Sequence, residues 1–271
     1  MHKGAAWIVT VGNELLIGRV VNTNASWLAG RLTYLGYAVR RIVTVPDVEE
    51  DIAEVFREAL ARADVVVSTG GLGPTPDDIT NIAFCRALGV DPAVNEEALR
   101  MVEERYRSRG YPLTPERVKM AQMPPGARPL PNPVGTAPGV LYEAGGKVVV
   151  LLPGVPREME AIFEGYVEPL LKSRGPPVFF AERGLEVRGV PEADVAPIIR
   201  EVLRLDPRIY VKSHPRGREV EAPLLYIHVY ASAFDRGEAD RLVDAAVGRL
   251  VQLLKARFGG AVSISEERRL A

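Results

Sequence analysis

The segment "VVVSTGGLGPTPDDIT", residues 65–80, joins an apolar β-branched run directly to a glycine-rich loop. Such a run is typical of a strand that is buried on both faces of a parallel sheet. The loop predicts a site that holds phosphate on its backbone amides, through Gly70, Gly71 and Gly73. Asp77 and Asp78 follow at once, and carboxylates repel phosphate. The presence of two acids at the mouth of an anion site therefore requires an explanation.

The same pattern of an apolar run followed by a helical repeat occurs four times in the first part of the chain. It predicts a three-layer α/β/α fold with a mostly parallel sheet. The predicted strands are "AAWIVTVG" (5–12), "AVRRIVTV" (38–45), "DVVVST" (64–69) and "KVVVLLPG" (147–154). Between the third and fourth strands, residues 95–110 and 114–123 predict helices, and the Pro/Gly-rich residues 124–139 predict a long loop.

The sequence "KSRGPP", residues 172–177, predicts a domain boundary because it concentrates Gly and Pro. The first domain is expected over residues 1–172 and a second over 178–271. The second domain has the predicted order β-α-β-β-α-β, which is typical of a small split-βαβ α+β sandwich. His228 alternates within one of its strands, so we expect it to face one side of that sheet.

The amino-acid composition and the net charge limit which kinds of molecule the protein is expected to bind. The 271 residues carry a formal net charge of −1, which gives no electrostatic reason to expect a nucleic-acid partner. The single cysteine, Cys85, excludes a disulfide within the chain and is expected to be a buried, inert thiol. The first residues do not resemble a signal peptide, and the longest apolar run is too short to cross a bilayer. We therefore expect a cytoplasmic protein without a membrane partner.

Four predicted parallel strands end in polar or glycine-bearing turns, and such ends meet at one edge of an open sheet. A divalent ion between acid and phosphate would reconcile the two acids with an anion site, because Mg²⁺ sites combine one or two carboxylates with phosphate oxygens. The predicted metal ligands are Asp78, Glu14 and Asp47. The predicted phosphate- or ligand-binding residues are Gly12, Glu14, Thr69, Gly70, Gly71, Gly73, Pro74, Thr75, Thr80, Pro153 and Gly154.

Each acid also has a purely structural interpretation. Asp78 can cap the helix that follows, since Asp is a preferred N-cap residue. Asp47 precedes Glu50 by three residues, which is the spacing of a capping box. The three loop glycines can equally form a plain turn, and Glu14 can be an ordinary surface acid.

Four motifs in order resemble the CinA family and, more broadly, the MoaB/Mog-type molybdopterin-binding domain. They are "VGNELLIGRVVNTNASWLAGRLTYLGY", "TVPD", "TGGLGPTPDDIT" and "LPGVPREM", spread over about residues 5–172. In the molybdopterin-binding relatives, the acids of the second and third motifs are functional. The resemblance therefore implies catalytic roles for Asp47 and Asp78.

The resemblance leaves two activities open. Likeness to CinA implies metal-dependent hydrolysis of the pyrophosphate of ADP-ribose or a related nucleotide, with Mg, Mn or Co. Likeness to MoaB/Mog implies binding, and possible adenylation, of molybdopterin. A non-catalytic nucleotide-binding protein on the same scaffold is a third interpretation. The C-terminal deamidase domain of many bacterial CinA proteins is not expected here, and a homodimer or homotrimer is expected by analogy.

Overall fold

The computed structural model describes residues 4–175, 178–216 and 223–267. The chain divides into two compact units, Met1–Pro176 and Pro177–Ala271. Each unit has its own sheet and its own apolar core. The predicted division of the chain, 1–172 and 178–271, lies beside the boundary between these units.

The first unit contains eight strands and eight helices within its described residues. The strands are β1 (Ala5–Val11), β2 (Ala38–Val45), β3 (Val65–Thr69), β4 (Ala93–Val94), β5 (Gln122–Met123), β6 (Arg128–Leu130), β7 (Gly139–Ala144) and β8 (Lys147–Leu152). The helices are α1 (Asn13–Leu16), α2 (Thr23–Tyr34), α3 (Glu49–Arg62), α4 (Thr80–Leu88), α5 (Glu96–Arg107), α6 (Pro115–Lys119), α7 (Pro156–Ile162) and α8 (Glu168–Arg174), with a π-helical stretch, Phe163–Val167, between the last two.

The main sheet has six strands in the order β2-β1-β3-β8-β7-β6. The first four are parallel, and β7 and β6 are antiparallel to their neighbours. Alternate residues of β1 enter different cores, because successive side chains of a strand point to opposite faces. Trp7 and Val9 pack into one core with Phe56 of α3, while Ile8 packs into the other with Leu28 of α2. The predicted mostly parallel α/β fold with helices on both faces is confirmed.

Two local predictions between the third and fourth parallel strands are wrong. The helix predicted over 114–123 ends at Lys119, and the residues after it pair with β4 as the short strand β5. The loop predicted over 124–139 contains the edge strand β6, which pairs with β7. Strand β7 turns back into β8 through Gly145 and Gly146, and this hairpin joins the two antiparallel strands, β7 and β6, to the four parallel ones.

The strand registers bring the four predicted turns to one edge of the sheet. Val11 pairs with Val45, Thr10 with Thr69, and Thr69 with Leu152. The carboxyl ends of β1, β2, β3 and β8 therefore lie side by side, as the sequence predicts.

Within residues 178–216 and 223–267, the second unit forms a four-stranded antiparallel sheet with two α-helices. Its elements are β9 (Phe179–Arg188), α9 (Glu192–Val202), β10 (Ile209–Pro215), β11 (Leu224–Ala233), α10 (Arg236–Phe258) and β12 (Ser263–Glu267). The sheet order β10-β11-β9-β12 and the chain order confirm the predicted small α+β domain. His228 on β11 is half-buried, with its Nε2 2.7 Å from Glu182 Oε2.

None of the helices in residues 4–175, 178–216 and 223–267 combines the length and apolar character needed to cross a membrane.

Candidate functional site

A small cleft lies at the edge of the sheet where the parallel strands end. Four of the predicted residues line it, namely Glu14, Thr69, Gly70 and Gly154. Its volume is about 90 Å³, whereas pockets that enclose a drug-sized ligand usually measure about 300–1,000 Å³. A nucleotide or pterin bound here would therefore extend from the cleft over the open edge of the sheet.

Asn24 on α2 holds two strand ends together at this cleft. Its Nδ2 donates to Thr69 Oγ1 at 3.0 Å and to the Gly154 carbonyl at 2.8 Å. The carbonyl can only accept, so this contact fixes the orientation of the amide. Thr69 Oγ1 donates in turn to the carbonyl of Pro153 at 2.7 Å. The side chains of Asn24 and Thr69 thus join the third and fourth parallel strands where they end.

A second polar network joins the first two strands. Asn22 Nδ2 donates to Thr10 Oγ1 at 2.9 Å and to Thr44 Oγ1 at 3.3 Å. Its Oδ1 accepts from the Ala25 amide at 3.1 Å and so caps α2. Sequence reasoning missed both asparagines. The available signal was the triplet "NTN", residues 22–24, at the start of an amphipathic helix.

The glycine-rich loop contains a run of unpaired amide donors. The Gly70 amide donates to the Leu152 carbonyl at 3.0 Å, so it belongs to the sheet and is not free for a ligand. A Cβ at Gly70, where φ is +108°, would overlap the Val11 carbonyl oxygen. Within the described residues, the next three amides, those of Gly71, Leu72 and Gly73, donate to no acceptor of the protein. Consecutive unpaired amides are the usual form of a backbone anion site.

Asp78 folds back onto its own loop and does not cap a helix. Its Oδ2 accepts from the Thr75 amide at 2.9 Å and from Thr75 Oγ1 at 2.6 Å. Helix α4 begins at Thr80, and its N-cap, Ile79, makes no side-chain cap bond. A Cβ at Gly73 would lie 2.5 Å from Asp78 Oδ2, so the carboxylate approaches the backbone at the unpaired amides.

Asp77 contacts the same hydroxyl group as Asp78, that of Thr75. Thr75 Oγ1 lies 2.5 Å from Asp77 Oδ1. This hydrogen bond, with a smaller contribution from the charge of Lys119, holds the pKa of Asp77 below its ordinary value. Asp77 is therefore charged at neutral pH.

Asp47 does not form the capping box that its spacing suggests. Helix α3 begins at Glu49 after Val48, which makes no side-chain cap bond. Asp47 Oδ2 instead accepts from the Asn13 amide at 2.9 Å, at the start of α1. The carboxylate therefore faces the turn after β1, where Glu14 is exposed.

The structure gives several other predicted ligand residues a scaffold role. Thr80 is fully buried, and its hydroxyl donates to the Gly70 carbonyl at 2.8 Å, so it cannot reach a ligand in this conformation. Gly12 and Pro153 are buried, and the Gly12 amide donates to the Val45 carbonyl at 3.1 Å. Thr75 is exposed and Pro74 half-buried, on the loop beyond the cleft.

The predicted metal ligands do not form a ready-made site. Across residues 4–175, 178–216 and 223–267, no three His, Cys, Asp or Glu side chains converge closely enough to hold a metal ion. The side chains of Glu14, Asp47 and Asp78 are therefore not already arranged around a single metal position. The donor set fits Mg²⁺ only if phosphate oxygens of a ligand complete the coordination, as they do in many Mg²⁺ sites.

Fold and site together define an α/β protein with a run of unpaired backbone amides at the carboxyl edge of its parallel strands. The family model described as "Probable molybdopterin binding domain" matches residues 7–173. The chain belongs to this family.

The chain also has close relatives of the same length. It is similar to a protein of Pyrobaculum calidifontis, with 77% identity over 94% of this chain and 98% of the relative. A protein of Aeropyrum pernix is 52% identical over 97% of each chain. Among solved structures, it resembles "the protein CinA with unknown function from Thermoplasma acidophilum", with 49% identity and a TM-score of 0.58. That match covers 61% of this chain and 98% of the other.

Proposed function

We propose that the first unit binds a phosphate-bearing ligand at the glycine-rich loop and hydrolyses the pyrophosphate of ADP-ribose or a related nucleotide. The observation that carries the proposal is the run of unpaired amides at Gly71, Leu72 and Gly73 beside the Asp78 carboxylate. Backbone amides without a protein acceptor are available to donate hydrogen bonds to phosphate oxygens. The choice of a nucleotide as the ligand rests on the resemblance of the four sequence motifs to the CinA family.

The proposed reaction adds water across one phosphoanhydride bond. The water oxygen forms a new P–O bond, the bridging P–O bond breaks, and the products are AMP and ribose 5-phosphate. A divalent ion would neutralise the diphosphate and lower the pKa of a bound water. Asp78, with Glu14 or Asp47, would hold that ion together with phosphate oxygens. The three amides would hold one phosphate in place.

The direct test measures AMP release from ADP-ribose with magnesium, manganese or cobalt. Asp78→Asn keeps the size of the side chain but removes its charge, so we expect turnover to fall by about 100-fold or more. Asp91→Asn is the matched control, because Asp91 is an exposed acid just beyond the C-terminal end of α4, the end opposite to the loop. The absence of AMP release from the wild type in all three metals would refute hydrolysis of ADP-ribose.

Binding of molybdopterin, and its adenylation, is the second candidate, and the family match favours it. The same three amides would then hold the phosphate of the pterin. The fluorescence of a pterin separates the two ligands, since ADP-ribose has none. A change in pterin fluorescence on addition of the protein, absent in Asp78→Asn, would support this candidate.

A non-catalytic nucleotide-binding protein is the third. It would bind ADP-ribose tightly, without turnover in any of the metals. Self-association into a dimer or trimer, and a cytoplasmic location, stay predictions that gel filtration and cell fractionation would test.

A further inference from the structure

The acids after the glycine-rich loop surround a single hydroxyl group. Thr75 Oγ1 lies 2.5 Å from Asp77 Oδ1 and 2.6 Å from Asp78 Oδ2. A hydroxyl has one proton and can donate to only one carboxylate at a time. Two like charges held this close repel each other, and a bound phosphate would add to the repulsion. The loop therefore needs a cation nearby.

Lys119, the last residue of α6, brings a positive charge to this loop. Its Nζ donates to the Thr75 carbonyl at 2.6 Å, across 44 residues of sequence. Within the described ranges, it is the one Lys or Arg side chain that hydrogen-bonds to any of residues 70–80. In the same part of the chain it forms no ion pair within 4.0 Å, so two of its three N–H groups remain for other acceptors.

We propose that Lys119 is a phosphate-binding residue, which contacts the ligand's phosphate with its free N–H groups while its charge offsets Asp77 and Asp78. This role of Lys119 extends the proposed function. It depends on one part of that function, namely that the loop binds phosphate. It holds for a nucleotide and a pterin alike, because both present phosphate to the same amides. It also gives the anion site a permanent cation that does not depend on a metal.

A purely structural role for Lys119 would be to hold the Thr75 carbonyl in place. The chain contains a matched example of that role. Lys147 at the start of β8 is also half-buried, and its Nζ donates to the Ala63 carbonyl at 2.8 Å. It lies at the opposite end of the strand from the site. Lys147→Met is therefore the control for loss of an ammonium–carbonyl bond.

The experiment titrates inorganic pyrophosphate into the full chain by calorimetry, with EDTA present so that only protein groups bind it. We expect Lys119→Met to weaken binding by about 10- to 100-fold, the usual range for loss of a charge-assisted hydrogen bond. Lys119→Arg keeps the charge and should recover part of the affinity. Lys147→Met should bind as the wild type does.

Salt dependence supplies a readout that a structural role would not change. Affinity in the wild type should fall as KCl is raised, since the ions screen the attraction. The slope should be shallower in Lys119→Met and unchanged in Lys147→Met. Thermal unfolding of both Met variants checks that each is folded. If Lys119→Met is not folded, Lys119→Arg is compared with the wild type in its place.

Three results would overturn the proposal. They are no binding of pyrophosphate to the wild type, equal affinity in Lys119→Met, or equal losses in Lys119→Met and Lys147→Met. The proposed hydrolysis is tested by a separate result. If pyrophosphate binding depends on Lys119 but ADP-ribose yields no AMP, the phosphate contact stands and the reaction does not. If AMP release is the same in Lys119→Met, the reaction stands and the contact does not.

Discussion

Replacement of Gly71 by alanine tests whether the glycine-rich loop is held in one conformation by the buried Thr80 hydroxyl. Gly71 has φ +70°, and a Cβ there would overlap Thr80 Oγ1. That hydroxyl is fully buried and bonds the Gly70 carbonyl. The left-handed backbone costs a residue with a Cβ about 1–2 kcal/mol. Loss of the buried hydrogen bond adds about 1–3 kcal/mol.

Gly89→Ala is the matched control for the backbone term. Gly89 also has φ +70°, and a Cβ there meets nothing within 4 Å. We expect Gly89→Ala to lower the free energy of unfolding by about 1–2 kcal/mol and Gly71→Ala by about 2–5 kcal/mol. Guanidinium unfolding followed by tryptophan fluorescence measures both, because the only tryptophans, Trp7 and Trp27, lie in the first unit.

A double variant isolates the contact itself. Thr80→Ala removes the atom that the new Cβ would strike, so Gly71→Ala/Thr80→Ala should lose at least about 1 kcal/mol less than the sum of the single variants. Equal losses in Gly71→Ala and Gly89→Ala, or additive losses in the double variant, would refute the packing of Thr80 against Gly71.

Three further predictions concern single side chains. Asn24→Leu leaves the Thr69 hydroxyl and the Gly154 carbonyl without their donor, so tryptophan-monitored unfolding should show a loss of about 2–4 kcal/mol; a loss below 1 kcal/mol would contradict that role. Burial raises the pKa of the Cys85 thiol to about 11, so iodoacetamide should not label the native protein at pH 8 but should label it in guanidinium, as mass spectrometry would show. The hydrogen bond from Arg208 lowers the pKa of Asp206 from 3.8 to about 2. The stabilisation from that lowered pKa is present above about pH 4 and lost as the pH falls toward 2, and acid unfolding followed by circular dichroism should lose this component in Asp206→Asn.

Much of the fold could be predicted because its signals are local. Runs such as "VVVST" are long enough and apolar enough to specify strands buried on both faces. The edge strand β6 escaped prediction because Pro and Gly dominate residues 124–139, and its pairing with β7 supplies the hydrogen bonds that hold it. Propensity cannot show such pairing, since it depends on which chain segment lies alongside.

The sequence predicted where the polar turns lie in the sheet, whereas several side-chain contacts differ from those that the local spacing suggests. The turns that carry Glu14, Asp47, Gly70 and Gly154 do lie at one edge of the sheet, as parallel strands require. The spacing of Asp47 and Glu50 also allowed a capping box as the structural alternative, whereas the tertiary structure offers Asp47 the Asn13 amide as a partner. A local motif identifies what a side chain can do, and its neighbours decide what it does.

The sequence by itself determined the class of fold, the edge of the sheet where the polar and glycine-bearing turns meet, and the chemical groups available there. These follow from patterns that span a few residues, because strand alternation, helix period and glycine conformations are set by the local backbone. Only the tertiary structure decided which amides are unpaired, that Thr80 belongs to the scaffold, and that Lys119 reaches the Thr75 carbonyl. These contacts are between residues that are far apart in sequence. Hydrogen bonds and close charge pairs act over a few ångströms, so they form only when folding brings such residues together.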